Sequence, residues 1–398
     1  MEIEECLSLI LKELTPKTKK ITVPIFQAVG KICSEDIIVK DFVPSFPKSA
    51  MDGYAVAAKD LAGTDKEHPT MLRVIGELCA GDYQEISYKE HTAVRVMTGA
   101  YVPEGYDAVV KQEDTDYGEK EVTVFTTIAP YQNYCRIGED MMPGDVICKK
   151  GTLLQPIHIG LLASLGIAEV SVIEPVKVAL LSTGSELMEL SERPTPGKIY
   201  NSISYILKTT IEKEGFEVVE NKICKDEKEV LAEEILKAVA KADIVITTGG
   251  VSVGKKDFVP AVLSDLGAKQ IFDHANIQPG TPTKASILED KLILSLSGNP
   301  YAALANFELY FWSVASYLLQ HTSYEPFVTT AIFQGEYPKK NKHRRLIRAY
   351  AENGFVSLPS KIHSSSVIAN MTECNCFIDL PAGKSMKTGD MVTVRYMK

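Results

Sequence analysis

Three short segments of the sequence combine hydroxyl, glycine and carboxylate residues, and each follows a run of apolar residues. They are LSTGSEL (181–187), TTGGVSVGKKD (247–257) and LSGNP (296–300). Glycine lets a backbone approach a ligand closely, and the N–H groups that enter a following helix favour an anion such as phosphate. The first and third segments offer these candidates for that contact: Thr183, Gly184, Ser185, Gly298, Asn299 and Pro300.

Three acids stand just beyond predicted strand ends, namely Glu186, Asp226 and Asp257. Carboxylates beside a phosphate cradle typically hold Mg²⁺ between protein and substrate oxygens. Asp226 is explained equally well as the N-cap of a helix that begins near Lys228. None of the segments fits a Walker loop or a GxGxxG motif. The residues alone therefore favour a nucleotide- or phosphate-handling α/β enzyme that uses magnesium.

The elements that position these segments follow from the pattern after residue 176. Apolar strands alternate there with helices predicted near 201–214, 228–241, 257–266 and 300–319, which indicates a parallel sheet covered on both faces. Ligands of such sheets bind at the carboxyl ends of the strands. Each polar segment alone is explained as a tight turn, but three at one sheet edge favour a binding site.

The other parts of the chain are predicted to be rich in β-structure. Residues 20–175 contain short strand-like runs between Gly, Pro and Asp turn signals, and a similar pattern returns after HTSYEP (321–326). We expect a multidomain α/β and β-rich protein with an N-terminal or linker domain (1–44 and 139–175), a β-rich domain (45–138), a doubly wound α/β domain (176–322) and a C-terminal β domain (323–398). In SAMDGYA (49–55), Asp52 before Gly53 is explained most simply as an ordinary turn.

Composition limits the function further. The 398 residues carry a net charge of −9, with acids spread along the chain, which argues against nonspecific nucleic-acid binding. The eight cysteines lack the spacing of a zinc site and are expected to be reduced thiols of a cytoplasmic protein. The N-terminus is predicted to be an amphipathic helix and not a signal peptide. The apolar run 301–319 contains Asn306 and Glu308 and is predicted to be a buried helix, so no membrane association is expected.

Eight motifs make the sequence resemble the molybdopterin molybdenumtransferases, the family of the MoeA proteins and the gephyrin E domain. They are SAMDGYA, RVMTGAYVPEGYDAVVKQED, RIGEDMMPGDVI, GLLASLGIAEVSV, LLSTGSEL, TTGGVSVGKKDF, IQPGTPTKA and LSGNP, and they occur in the family's order over nearly the whole chain. The resemblance implies a homodimer of four-domain subunits, with one domain similar to the molybdopterin adenylyltransferases and a C-terminal β-barrel-like domain. It also implies adenylylated molybdopterin and molybdate as substrates, AMP release, Mg²⁺, and a molybdopterin adenylyltransferase as functional partner.

The resemblance also implies roles for individual residues. Asp52 and Thr98 would reach the site from the partner subunit, and Asp140 would lie near a domain junction. Glu186, Asp226 and Asp257 would hold the metal or position the substrate. By the same resemblance, the pterin and phosphate pocket would be completed by Gly249, Gly250, Ser252, Gly254, Pro279 and Gly280. The arginine and serine of the family's oxyanion pocket would correspond to residues among Arg345, Arg348, Ser365 and Ser366, which are otherwise explained as surface residues of a β domain.

The sequence departs from the family pattern at the predicted oxyanion pocket. The family's KPGKP loop, with two lysines that help bind molybdate, is here QPGTP with Gln278 and Thr281, and a family serine is replaced by Ala302. The loss of two cations and a donor is expected to weaken molybdate binding by several kcal/mol, at about 1.5–3 kcal/mol for each charged hydrogen bond. Lys284 is three residues beyond Thr281, on the opposite face of an extended segment, and is at best a partial substitute.

Three functions are compatible with this pattern. The first is metal insertion into adenylylated molybdopterin, with an altered oxyanion pocket that favours a different molybdate concentration or tungstate. The second is a paralogue that binds molybdopterin or acts as a scaffold without metal transfer. The third is adenylylation of molybdopterin from ATP. Retention of Glu186, Asp226 and Asp257 favours the first function over the second, because a scaffold has no need of a magnesium site, and the four-domain arrangement disfavours the third.

Overall fold

The computed structural model of the chain describes residues 1–251, 257–360 and 364–398, so Ser252 and Gly254 lie outside the described residues. The helices of the described part are α1 (Ile3–Glu13), α2 (Pro156–Ser164), α3 (Ser202–Lys213), α4 (Lys228–Val239), α5 (Val259–Asp265) and α6 (Pro300–Leu319). The strands of that part are β1 (Lys20–Pro24), β2 (Ile37–Ile38), β3 (Lys48–Ser49), β4 (Gly53–Val56), β5 (Thr70–Leu78), β6 (Thr92–Val96), β7 (Ala108–Lys111), β8 (Glu121–Val124), β9 (Tyr134–Cys135), β10 (Val146–Cys148), β11 (Glu169–Ile173), β12 (Lys177–Thr183), β13 (Leu187–Met188), β14 (Ile199–Tyr200), β15 (Glu217–Cys224), β16 (Ile244–Thr248), β17 (Lys269–Phe272), β18 (Ile277–Gln278), β19 (Lys284–Leu288), β20 (Lys291–Leu296), β21 (Val328–Gln334), β22 (Glu336–Tyr337), β23 (Arg344–Glu352), β24 (Phe355–Ser357), β25 (Cys376–Leu380), β26 (Met386–Lys387) and β27 (Met391–Tyr396).

The chain forms two compact units. The first contains Met1–Ser34, Gly151–Gln155 and Val170–Lys398, and the second contains Glu35–Lys150 and Pro156–Glu169. The predicted fold class, a multidomain protein with an α/β domain and β-rich domains, is confirmed. The finer division into four domains stays a prediction.

The central sheet of the first unit has the strand order β15-β12-β16-β20-β19-β17. Its first four strands are parallel, and β19 and β17 continue it as antiparallel neighbours. Neighbouring residues of one strand point to opposite faces. Thus Val178 and Leu180 pack in the cluster that contains α1, α3 and α6, whereas Ala179 and Leu181 pack against α4 and α5. Burial on both faces explains why these strands are continuously apolar in sequence.

Helix α6 is buried along almost its whole length. Phe307, Phe311 and Trp312 are at most 1% exposed and pack against one another. Full burial of such a side chain stabilises the folded state by roughly 1.5–3 kcal/mol. Burial raises the pKa of Glu308 to about 7, although Trp312 Nε1 donates a 2.8 Å hydrogen bond to its Oε2. No helix in the described ranges is long and apolar enough to span a membrane.

The C-terminal strands of the first unit form a closed barrel. The hydrogen-bonded order β23-β24-β21-β27-β25 returns to β23, because β25 also pairs with β23. Strand β18, in the connection between β17 and β19 of the central sheet, pairs in parallel with β23, with Ile277 opposite Arg344 and Gln278 opposite Arg345. This pairing brings the barrel to the edge of the central sheet.

The second unit is built on a five-stranded sheet of order β7-β4-β6-β5-β8. Apolar residues cover both of its faces, with Tyr54 and Val110 in one cluster and Ala55 and Val109 in the other. This arrangement agrees with the β-rich region predicted from turn spacing.

Candidate active site

A cavity of about 920 Å³ opens at the carboxyl ends of β12, β16 and β20, within the first unit. Its walls also include the first turn of α6, the turn after β18 and the start of β23. It brings together the following residues that the sequence singled out: Thr183, Gly184, Ser185, Glu186, Asp226, Gly249, Gly250, Asp257, Pro279, Gly280, Gly298, Asn299, Pro300, Arg345, Ser365 and Ser366.

Three carboxylates, Glu186, Asp226 and Asp257, line the cavity from the segments that follow β12, β15 and β16, and they are here called the acidic rim. Asp226 Oδ2 accepts a 2.6 Å hydrogen bond from the backbone N–H of Ser185 and so ties two strand-end loops together. Asp226 does not cap α4, whose N-cap is Glu227. The N-cap explanation for Asp226 is therefore not borne out, and its role in the site stays a prediction.

Gly249 lets the loops after β12 and β16 approach each other closely. Its φ is +85°, and a Cβ atom at this position would lie 2.2 Å from Thr183 O. Any other residue would separate the two loops, because real Cβ atoms do not come this close to a carbonyl. The loops after β12 and β16 are thus packed against each other next to the acidic rim.

The chemistry of the acidic rim fits a hard cation that is shared with a substrate. Within the described ranges, no three His, Cys, Asp or Glu residues lie close enough together to hold a metal ion by themselves. Mg²⁺ in proteins is commonly bound by one or two carboxylates, with substrate phosphates and water as its other ligands. The rim therefore suits a magnesium ion that arrives with a phosphate-containing substrate.

Two cations, Lys339 and Arg345, line the cavity from the barrel side and are here called the cationic wall. The Arg345 guanidinium lies 5.7 Å from the centroid of the Tyr337 ring. Within the described residues, neither cation forms a hydrogen bond or ion pair with an acid. The cavity is therefore acidic where it meets the central sheet and basic where it meets the barrel.

Arg348 does not line the cavity, although the sequence made it a candidate. It is fully buried, and its guanidinium lies 3.7 Å from the centroid of the Tyr301 ring. It donates to Val367 O, Ser364 O and Asn370 Oδ1 and so holds the loop that contains the cavity-lining serines. Arg348 thus stabilises the serine loop without lining the cavity itself. Lys284 also lies outside the lining, because its Nζ donates a 2.9 Å hydrogen bond to Asp273 O.

The altered loop after β18 is fixed from behind by α6. Asn306 is fully buried and donates hydrogen bonds to Pro279 O at 3.0 Å and Ala302 O at 2.8 Å. Thr281 Oγ1 donates to Ile277 O at 2.7 Å, so this hydroxyl also stabilises the turn. Gln278 and Thr281 both line the cavity, as neutral groups.

The second unit contains the remaining candidates, Asp52, Thr98 and Asp140. Antiparallel pairing of β4 with β6 places Gly53 opposite Val96 and so brings Asp52 to Thr98. The Thr98 hydroxyl and N–H each donate a 2.7 Å hydrogen bond to Asp52 Oδ1, which lowers the pKa of this exposed carboxyl group. Asp140 is exposed, and its N–H donates to Val43 O at 3.0 Å.

The sequence did not single out Lys339 or Tyr337. Their segment reads as part of a small β domain, and nothing in its composition points to the edge of a distant sheet. The usable signal is the spacing of Tyr337 and Lys339, which puts both on one face of an extended segment. That signal becomes informative only once the pairing of β18 with β23 is known.

Comparisons with known proteins cover nearly the whole chain. Three family models match: the MoeA N-terminal region (domain I and II) at residues 1–166, a probable molybdopterin binding domain at 179–316, and the MoeA C-terminal region (domain IV) at 330–395. The molybdopterin molybdenumtransferase of Staphylococcus aureus (strain COL) is 34% identical over 378 residues, which are 94% of this chain and 90% of the relative. The protein of the same name from Staphylococcus epidermidis RP62A is 33% identical over 398 residues, 99% of this chain and 95% of the relative.

Solved structures show the same likeness. Two structures of the molybdopterin biosynthesis MoeA protein of Pyrococcus horikoshii superpose with TM-scores of 0.82 and 0.78, and both are 28% identical to this chain. They cover 100% of this chain, and the match covers 99% and 100% of the respective structures. The similarity therefore extends over both compact units.

Proposed function

Because the chain belongs to the MoeA family of molybdopterin molybdenumtransferases, which act in molybdenum cofactor biosynthesis, we propose that it transfers molybdenum from molybdate to adenylylated molybdopterin and releases AMP. The observation that carries this proposal is the charge division of the 920 Å³ cavity, with three acids at the sheet edge and two cations at the barrel. A substrate with an anhydride-linked nucleotide needs a phosphate cradle and a cation at one end. Molybdate, an anion with two negative charges, needs positive groups at the other.

Different groups of the cavity have different roles in the proposed reaction. The loop backbones at Thr183 and Gly249 form the surface against which the phosphates bind. One or two of the carboxylates of Glu186, Asp226 and Asp257 would hold Mg²⁺ together with substrate oxygens, and the ion would supply charge neutralisation for the phosphate oxygens. Water attacks the phosphoanhydride, and its cleavage gives AMP and the molybdopterin phosphate. Two Mo–S bonds form with the dithiol of the pterin, and one molybdate oxygen leaves as water with the two thiol protons. Arg345, Ser365 and Ser366 then present donors to the oxyanion.

Several further assignments are part of this proposal and rest on family motifs. Asp52, Thr98 and Asp140 contribute to the reaction, and the protein acts as a homodimer in the cytoplasm. The molybdopterin adenylyltransferase supplies the adenylylated substrate. The hydrogen bonds from Thr98 that keep Asp52 charged support its assignment, because they favour the carboxylate form.

A direct assay tests the proposed reaction. Purified protein is incubated with adenylylated molybdopterin, Mg²⁺ and a range of molybdate or tungstate concentrations, and AMP is measured by chromatography. We expect AMP release that depends on both the divalent ion and the oxyanion. Absence of release even at high molybdate and tungstate would reject the transferase function for this chain.

A second candidate is a protein that binds molybdopterin or serves as a scaffold without transferring metal. The specific observation in its favour is that Gln278 and Thr281 present neutral groups to the cavity where the family pattern has lysines. Tight binding of adenylylated molybdopterin without any AMP release would support this candidate.

A further inference from the structure

Arg345 differs from the adjacent Arg344 in that its guanidinium forms no ion pair with any of the described residues. Arg344 donates to both carboxylate oxygens of the buried Asp379, each at 2.6 Å, and also forms a 2.8 Å ion pair with Glu4. Arg345 points to the opposite face of β23. Arg345 lines the cavity, and no Asp or Glu among the described residues forms an ion pair with it. The charge of Arg345 is thus left available to a ligand.

Strand pairing places position 278 directly beside Arg345. Gln278 and Arg345 are register partners in the parallel pair of β18 and β23, so their side chains lie next to each other on one face. A lysine at 278 would bring a second cation against Arg345. Gln278 instead offers a neutral amide, which donates a hydrogen bond without repelling the guanidinium.

Lys339 adds a second positive charge to the cavity, from the segment that follows β22. The guanidinium of Arg345 lies over the ring of Tyr337, and Lys339 follows Tyr337 by two residues beyond β22. Residues two apart in an extended segment point to the same side. Lys339 accordingly lines the cavity together with Tyr337 and Arg345, and its ammonium group has no ion-pair partner in the described part of the chain.

We propose that Lys339 binds the oxyanion substrate beside Arg345, so that Lys339 supplies the positive charge that Gln278 and Thr281 do not. This inference rests on the proposed function, because that function provides the oxyanion. The ligand class is a tetrahedral dianion, molybdate or tungstate, and hydroxyl groups of Ser365 and Ser366 complete the set of donors. A flexible ammonium group and a planar guanidinium reach such an anion from two sides.

The test compares Lys339→Gln with Lys342→Gln. Lys342 is an exposed lysine of the same segment that does not line the cavity, so its substitution changes net charge equally without entering the site. Molybdate and tungstate binding is measured by isothermal titration calorimetry, and KM for molybdate and for adenylylated molybdopterin is measured by AMP release. Thermal unfolding of each variant verifies that the fold is retained.

We expect Lys339→Gln to weaken molybdate binding and raise KM for molybdate by ten- to fiftyfold, with less than a twofold change in KM for the pterin substrate. Lys339→Arg should recover part of the loss, and Lys342→Gln should behave as the unmodified protein. Equal molybdate affinity and KM in Lys339→Gln and Lys342→Gln would overturn the inference and leave the proposed function standing. Conversely, molybdate binding that needs Lys339 in a protein without turnover would support the inference and reject the proposed function.

Discussion

The acidic rim and the cationic wall are built in different ways, although they face the same cavity. Glu186, Asp226 and Asp257 follow strands or loops of one sheet, and the glycine-rich turns fix the backbone around them. The cationic wall combines β23 with the segment after β22, and Gln278 joins it from β18. The rim is thus determined by local turn chemistry, whereas the wall depends on how two sheets meet.

The largest expected effect comes from removing one charge of the acidic rim. Glu186→Gln keeps the shape of the side chain but takes away a carboxylate that would share Mg²⁺ with the substrate. We expect kcat/KM for AMP release to fall by about 100-fold or more, which corresponds to roughly 3 kcal/mol of transition-state stabilisation. Titration with Mg²⁺ in this variant should show a raised requirement for the ion, and chelation with EDTA should abolish the activity of the unmodified protein.

A matched control for this variant is Glu189→Gln, because Glu189 lies in the same segment but does not line the cavity. Equal activity of the two variants would mean that the rim has no special role. The proposed catalytic contribution of the acidic rim would then be rejected.

A second prediction concerns the turn that joins the wall to the sheet. Gly280 has a φ of +96°, and a Cβ atom there would lie 1.7 Å from Asn306 Nδ2. Gly280→Ala should lower the free energy of unfolding by about 3 kcal/mol, from left-handed strain and the clash together. Chemical denaturation measures the loss. Combining Gly280→Ala with Asn306→Ala should cost less than the sum of the single changes, and strict additivity would contradict the proposed contact.

The rim could be predicted from sequence to a greater extent than the wall. Alternation of strands and helices located Thr183, Gly249 and Asn299 at one sheet edge, because the carboxyl ends of parallel strands meet there. Lys339 was missed because its position depends on the pairing of β18 with β23, which no local pattern encodes. Arg348 shows the opposite case, since a charged residue in a β-strand is usually exposed, yet here it is fully buried beneath Tyr301.

A third prediction separates two neighbouring arginines of β23. Arg345→Met should raise KM for molybdate by about tenfold, because one charge-assisted contact is lost, and should change the free energy of unfolding by less than about 0.5 kcal/mol. Arg344→Met should do the reverse, since it leaves Asp379 buried with fewer partners. Enzyme kinetics and denaturation on both variants measure the two quantities. A stability loss without a kinetic effect in Arg345→Met would place this residue outside the binding wall.

The smallest effect on kcat/KM for molybdate is expected for Gln278→Lys, although the family pattern has a lysine at this position. Gln278→Lys introduces the missing family lysine directly beside Arg345, in register across the parallel pair. Since Lys339 and Arg345 already provide two charges, a third cation adds attraction for molybdate but also repels Arg345 in the empty site. These opposing terms should keep kcat/KM for molybdate within about threefold, less than 0.7 kcal/mol. A gain of tenfold or more, measured by AMP release at limiting molybdate, would show that the native wall lacks a charge and that Lys339 does not replace it.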